Sequence, residues 1–260
     1  MTVPEVSAAD VGVFGGSGFY AFLDEVETVE LDSPWGRPSA PITIGSAGGK
    51  RVAFLPRHGV HHEFPPHRIN YRANVDAMRR LGVRALLAPF AAGSLRREIT
   101  PGDFVVVDQL VDRTSGREST FYDTFATSGP QHAVFADPYD AGLRAQLVDV
   151  ARDQGIAVHD GGTVVVVNGP RFSTRAESAS FRDAGWHLIN MTQCPEAQLA
   201  REAGLPFAGV ALVTDYDTGL ADEPGIEPGI EPVTQEQVFA MFELNVGRVR
   251  DLLRGVIPRL

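Results

Sequence analysis

The chain has 260 residues and a formal net charge of −10. That length suits one large α/β unit, and the acidic balance repels phosphodiester backbones, so nucleic acid is not expected as a partner. A single cysteine, Cys194, excludes an intrachain disulfide and a cysteine-built zinc site.

The opening MTVPEVSAAD lacks the basic-then-apolar layout of a secretion signal. No apolar run approaches the roughly 18 residues of a membrane span. A cytoplasmic protein without a membrane partner is therefore expected. The first predicted strand, Val11 to Phe14, ends in the glycine cluster GVFGGSGFY, Gly12 to Tyr20. Gly16, Gly18 and Ala21 satisfy the dinucleotide pattern G-x-G-x-x-G/A, which would suit a dinucleotide-dependent oxidoreductase. That pattern also needs a helix of about three turns after the glycines. Only seven residues separate Gly18 from the next strand-like run, VETVEL, Val26 to Leu31. A glycine turn offering backbone N–H groups and the Ser17 hydroxyl to a single phosphate fits better, with a ligand-free tight turn as the alternative. The run Val26 to Leu31 alternates apolar with polar, as a half-buried strand does.

A strand at Val52 to Leu55 leads into PRHGVHHEFPPHRINYRAN, Pro56 to Asn74, which holds four of the seven histidines, His58, His61, His62 and His67. Three readings stay open there. Arg57 can supply a planar fork of donors to an anion, with His58 as a further donor. The imidazoles can ligate zinc, although Glu63 is the one carboxylate nearby and Pro65-Pro66 breaks any regular helix. The stretch can also be a structural loop. Strands follow at Ala85 to Phe90 and Phe104 to Val107, then a helix with Leu143, Leu147, Val150 and Ala151 on one face.

The run Thr163 to Val167 is β-branched from Val164 onward and predicts a central strand. After it comes NGPRFSTRAES, Asn168 to Ser178, turn chemistry that puts the flat face of Phe172 beside the Ser173 hydroxyl, a pair able to stack on a base and bond its edge. A helix over Thr174 to Ala184, a strand over His187 to Met191 and a proline-opened helix over Pro195 to Ala203 continue the alternation. Thr192 lies between that strand and helix, where a hydroxyl can serve an anion at a helix N-terminus or simply cap the helix. The strand Phe207 to Val213 runs into VTDYDTG, so Asp215 and Asp217 stand at the sheet edge where α/β folds keep their sites. Glu223 to Pro232 reads EPGIEPGIEP, a proline- and glycine-rich loop. Val238, Phe242, Val249, Leu252 and Leu253 share one face of a C-terminal helix. The pattern predicts an α/β fold in a single domain over residues 1–260, a central mixed twisted sheet flanked by helices.

In this order, GGSGFY, LPRHG, NYRAN, GSLRREITPGD, QLVDRTSGR, FYD, GPRFSTRAES, NMTQCPEA and VTDYD resemble the signatures of the purine nucleoside phosphorylase and methylthioadenosine phosphorylase family, trimeric type. The resemblance runs from about Val11 to the C-terminus and is nearest to methylthioadenosine phosphorylases. It implies phosphorolysis of a purine nucleoside, of the 5′-methylthioadenosine kind, with phosphate as co-substrate and no metal or organic cofactor. It implies phosphate ligands at Ser17, Arg57, His58 and Thr192, and along the stretch holding Phe90 and Ala91. Phe90 stands where a small polar side chain is the family's habit, so contact there falls to backbone. Met191 matches the residue under the ribose, and Phe172 and Ser173 match the base pocket. Asp215 and Asp217 match the groups that meet the imidazole-ring nitrogen and the 6-substituent. Asp215 is the implied general acid, and an aspartate there favours adenine, where relatives selective for 6-oxopurines carry asparagine. Specificity falls to Ser173 and to Gln235, which stands where an apolar residue would meet a methylthio group. His132 resembles a histidine that reaches a neighbouring subunit's 5′ pocket, which implies a homotrimer. A 6-oxopurine nucleoside phosphorylase and a non-catalytic nucleoside-binding protein are the rival expectations.

Overall fold

Ten consecutive residues without a charge, ALLAPFAAGS, form the strand around which the chain is arranged. In the computed structural model, which describes residues 8–15, 23–126, 128–218 and 234–260 (without the side chains of Gln235, Gln237, Phe239 and Phe242), this strand is β5, Ala85–Ser94. One edge of β5 pairs along nearly its whole length with β11, Phe207–Tyr216, in parallel. The other edge is shared. Ala85 to Leu87 pair in parallel with β1, Val11–Gly15, while Gly93 and Ser94 pair antiparallel with β10, Leu188–Asn190. Between Leu87 and Gly93 that edge carries no strand partner.

The sheet grows outward from this point. Beyond β1 lie β4 (Lys50–Pro56), β3 (Ile42–Ala47) and β2 (Asp24–Val29). Beyond β10 lie β9 (Thr163–Val167) and β7 (Gln109–Arg113). Beyond β11 lie β6 (Phe104–Val106) and β8 (Val158–Asp160). Parallel and antiparallel pairs are mixed throughout, as expected from the sequence. The helices are α1 (Tyr71–Arg80), α2 (Ala141–Asp153), α3 (Arg175–Asp183), α4 (Gln193–Glu202) and α5 (Gln235–Val256). Alternation along β4 shows how both faces are covered. Ala53 and Leu55 pack with residues of α1 and α4 on one face, while Val52 and Phe54 pack with α2 and α5 on the other. No described helix is long and apolar enough to cross a membrane.

Several expectations change in detail. The run at Val26 to Leu31 is an exposed edge, not a half-buried strand, because β2 pairs only with β3 and Val26 lies open. The valine run in β9 is interior, between β10 and β7, but the pivot of the sheet is β5. Cys194 and Pro195 leave helical dihedrals, so the regular turns of α4 begin beyond the proline. β2 pairs antiparallel with β3 and not with β1, so β1 and β2 are not the adjacent parallel strands of a dinucleotide-type βαβ unit. Ser17 and the loop Glu223 to Pro232 lie outside the described residues.

The helix α1 was not expected, since histidines and prolines dominate the stretch before it. Asn70 starts it: its side-chain oxygen accepts from the Ala73 N–H at 3.2 Å. The same amide donates to the carbonyls of Trp35 at 2.8 Å and Arg37 at 3.1 Å, tying the helix start to the loop before β3. Asn70→Ala removes all three bonds, and a cost of about 1–2 kcal/mol is expected. Thermal unfolding should register it as a fall of about 2–4 °C per kcal/mol; an unchanged midpoint would show that the cap carries no stability.

Candidate active site

The unpaired stretch of β5 forms the floor of a cavity of about 730 Å³. Ten residues expected at a site line it: Arg57, His58, Phe90, Ala91, Phe172, Ser173, Met191, Thr192, Asp215 and Asp217. They come from the end of β4, the middle of β5, the turn before α3, the β10–α4 junction and the end of β11. His132 does not join them. It is exposed and meets Phe125 edge-on at 5.7 Å between ring centroids. Gln235 opens α5, but its side chain lies outside the described residues, as does the whole of Ser17.

Arg57 is buried, and its fork is already engaged. Nε and Nη2 donate to the two carboxylate oxygens of Glu196 at 2.6 and 3.2 Å. Nη2 also donates to the Phe14 carbonyl at 3.0 Å, and Nη1 to the Pro89 carbonyl at 2.9 Å. A guanidinium has five N–H hydrogens. One on Nη1 is left uncommitted on a residue that lines the cavity, so the expected fork shrinks to a single remaining donor. Glu196 is fully buried, which pushes its carboxyl pKa up, while Arg57 opposes that shift. The pair holds opposite charges at contact distance, both side chains buried.

His58 also differs from expectation. Its Nδ1 lies 2.9 Å from the Phe64 carbonyl, which can only accept, so Nδ1 carries the hydrogen. Its ring stacks on His62 with 4.3 Å between centroids. Burial is the main cause that pushes its pKa down to about 3, with His62 and Arg57 adding to the effect. At neutral pH the ring is uncharged and Nε2 is an acceptor. No three His, Cys, Asp or Glu side chains among the described residues assemble as a metal cage.

Asn190, which the sequence reading passed over, organises the opposite wall. Its side-chain oxygen accepts from the N–H groups of Thr192 and Gln193 at 2.7 and 2.9 Å. Its amide donates to the Ala91 carbonyl at 3.0 Å, across the gap in the β5 edge. The Thr192 hydroxyl makes no cap bond to α4; it donates to the same Asn190 oxygen at 3.4 Å, and the residue lines the cavity. An Asn at a strand end, two and three residues before N–H groups that open a helix, is the signal that was available.

The remaining side of the cavity is built by turns. Thr174 and Glu177 form a reciprocal capping box at the start of α3, and Glu177 also binds Arg171 through two bonds of 2.7 and 2.8 Å. These hold Phe172 with 39% of its surface exposed on the cavity wall rather than in the core. Gly169 has φ of +62° and a Cβ there would lie 2.5 Å from the Met191 sulfur, so only glycine lets Met191 lie against this turn. At the end of β11, burial pushes the Asp215 carboxyl up to about 6, with Asp217 adding to the rise and the Thr214 hydroxyl opposing it. Asp217 is also raised, chiefly by burial, and its Oδ2 has no hydrogen-bond partner among the described residues. Val238 and Glu243 of α5, with His61, His62 and Glu63, also line the cavity.

The Arg57–Glu196 pair gives a direct test of what holds this floor. Glu196→Ala leaves a guanidinium buried without its counter-charge, and a loss of about 3–5 kcal/mol is expected. Denaturant unfolding should show a lower midpoint at an unchanged slope. Wild-type stability would mean that solvent reaches Arg57.

The same set of elements recurs in known proteins. The model of the phosphorylase superfamily matches residues 10–257. S-methyl-5′-thioadenosine phosphorylase of Mycobacterium tuberculosis is 51% identical over 251 residues, covering 96% of this chain and 89% of the relative. Purine nucleoside phosphorylase of Streptomyces coelicolor is 47% identical over 257 residues, covering 97% and 89%. Among solved structures, methylthioadenosine phosphorylase from Schistosoma mansoni in complex with adenine superposes with a TM-score of 0.87 at 37% identity, covering 95% of this chain and 90% of that one. A mutant of the adenosine/methylthioadenosine phosphorylase of that organism, in complex with methylthioadenosine, matches with the same score, identity and coverage. With a family model matched from the first strand to the last helix, and relatives about half identical over the same span, the chain belongs to the phosphorylase superfamily.

Proposed function

We propose that the cavity binds a purine nucleoside and inorganic phosphate, and that the protein converts 5′-methylthioadenosine, or another 5′-modified adenosine, to adenine and the pentose 1-phosphate. The observation that carries this reading is the buried pair Asp215 and Asp217 facing one cavity with Arg57, His58 and Thr192. A base-recognising acid and an anion-binding wall then flank one substrate. Relatives about half identical to this chain bear the name S-methyl-5′-thioadenosine phosphorylase, which supports the same choice.

The leaving purine is a poor anion unless it gains a proton. Asp215, protonated below about pH 6 in the free protein, supplies it at the imidazole-ring nitrogen as a general acid. Asp217 accepts from the 6-amino group, and its orphan Oδ2 explains why a donor is wanted there. A 6-oxo group would set acceptor against acceptor. Phe172 stacks on the base, Ser173 bonds its edge, and Met191 lies under the ribose. As the glycosidic bond breaks, the sugar gains oxocarbenium character and phosphate attacks the anomeric carbon. Phosphate is held by the free Nη1 hydrogen of Arg57, by Thr192, by the backbone at Phe90 and Ala91, and by Ser17. Its own hydroxyl donates to Nε2 of His58, reversing the polarity expected from the sequence. The reaction needs no metal and no organic cofactor. We assign Ser173 and Gln235 to specificity, the latter at the 5′ end with Val238. The protein works in the cytoplasm as a homotrimer, with His132 completing a neighbour's 5′ pocket; the exposed Val134 and Phe125 beside it supply apolar surface for that contact.

The deciding assay is phosphate-dependent release of adenine from methylthioadenosine, run over a panel of nucleosides; no release in the presence of phosphate would reject the proposal. Because Asp215 acts protonated, kcat/KM should fall tenfold per unit as pH rises through about 6; a flat profile across that range would remove Asp215 as the acid. A relative bears the broader name purine nucleoside phosphorylase, and a 6-oxopurine substrate is the second reading. Asp215→Asn separates the two: adenine release should drop by about 10²–10⁴ and the preference should move toward hypoxanthine nucleosides, whereas a retained adenosine preference would contradict the role of the pair. Asn190→Asp keeps the three acceptor contacts but loses the donor to Ala91 and adds a negative charge. It should raise KM for phosphate about tenfold or more, with a smaller effect on nucleoside KM; equal effects on both would count against the phosphate assignment.

A further inference from the structure

Thr214 stands one residue before Asp215, where the register of β11 against β5 slips: Val213 pairs with Ala92 and Asp215 with Gly93. Thr214 is thus the extra residue of a bulge, a device that re-aims a side chain. Its hydroxyl oxygen lies 2.7 Å from Oδ2 of Asp215 and 3.3 Å from the carbonyl of Ala92. It is buried and lines the cavity. A hydroxyl has one hydrogen, so it serves only one of these acceptors at a time.

The two choices have different consequences. If the Asp215 proton sits on Oδ2, it is donated to Thr214, whose own hydrogen turns to Ala92, and the acid faces the protein. If Thr214 keeps its hydrogen on Oδ2, the proton occupies Oδ1. That oxygen lies against Gly93, where a Cβ would stand 3.0 Å away, and Gly93 lines the cavity. Resting on the phosphorolysis reading above, we propose that Thr214 is a positioning residue: by donating to Oδ2 it makes Oδ1 the oxygen that carries the proton to the base, and it stabilises the carboxylate left behind. The proton on Oδ1 passes to the ring nitrogen as the C–N bond breaks and its electron pair goes to the base. Monohydrogen phosphate forms the new C–O bond and releases its proton, which restores Asp215 through solvent.

Few charges compete for this role. Among the described residues, β5 and β10 bring no ionisable side chain to Asp215. Asp217 follows on the same strand, Glu243 of α5 lines the cavity, and Arg57, His58, His62 and Glu63 line its other parts. Glu177 and Arg182 of α3 act on Asp217. The Thr214 hydroxyl bond favours the ionised form of Asp215, against burial and the Asp217 charge.

The test is the pH dependence of adenine release by the full chain for wild type, Thr214→Val, Thr214→Ser and Thr214→Ala. Losing the hydroxyl should move the descending limb of kcat/KM up by about one pH unit and lower kcat about tenfold on the acid side of the limb. KM for phosphate should stay as in wild type. Thr214→Ser should restore both the limb and kcat. A valine variant with the wild-type limb, or a serine variant that behaves like valine, overturns the proposal. If valine at this position prevents folding, the alanine variant is read in its place, with the same shift expected and a wild-type limb equally fatal. A wild type that releases no adenine would overturn the phosphorolysis reading itself, an outcome distinct from both.

Discussion

The structure depends on one shared edge. β5 is paired along a single side by β11, and its other side is divided between β1 at the start and β10 at the end. A buried backbone cannot leave its carbonyls unsatisfied. In the gap, the Pro89 carbonyl is taken by Arg57 and the Ala91 carbonyl by Asn190, two residues apart along the strand. Pro89 has no N–H to offer a ladder, which suits a place where no strand runs alongside. The groups that heal the broken sheet are therefore the groups that face the cavity. Fold and site are held by the same bonds.

The two ends of the cavity use charge in opposite ways. At one end Arg57 is neutralised by Glu196 and His58 is uncharged, so the wall offers directed hydrogen bonds with little net charge. Four of the five guanidinium hydrogens are committed before any ligand arrives, which fixes the direction of the fifth. At the other end two carboxyl groups are buried without a cation against Asp215, and both are driven toward their protonated forms. Desolvation is costly in each case. At the first end that cost is offset by an internal ion pair. At the second it remains as a readiness to hold a proton.

Parts of the outcome are readable along the chain because they rest on local patterns. Alternation between apolar runs and helical spacing predicts helices on both faces of a mixed sheet, since a sheet whose central strands are apolar must be covered twice. Eight of the ten expected cavity positions are legible as turn and strand-end motifs, each a short stretch with its own backbone geometry; Phe90 and Ala91 lie in the middle of β5. The helix α1 is not legible, because its cap, Asn70, is satisfied by carbonyls of Trp35 and Arg37 more than thirty residues earlier. The exposed strand β2 is misread for a related reason: alternation reports two different faces, and only pairing tells which is covered.

The sequence by itself determined the α/β class, the order of the motif-bearing turns and the presence of an acid pair after a strand, because each is a property of neighbours in the chain. Tertiary structure alone decided what those residues can do. Glu196, remote in sequence from Arg57, turns a presumed fork into one donor. The Phe64 carbonyl makes His58 an acceptor. A bulge between Val213 and Asp215 brings a hydroxyl onto one oxygen of the acid. Each depends on a partner's direction and burial, which composition and spacing do not encode.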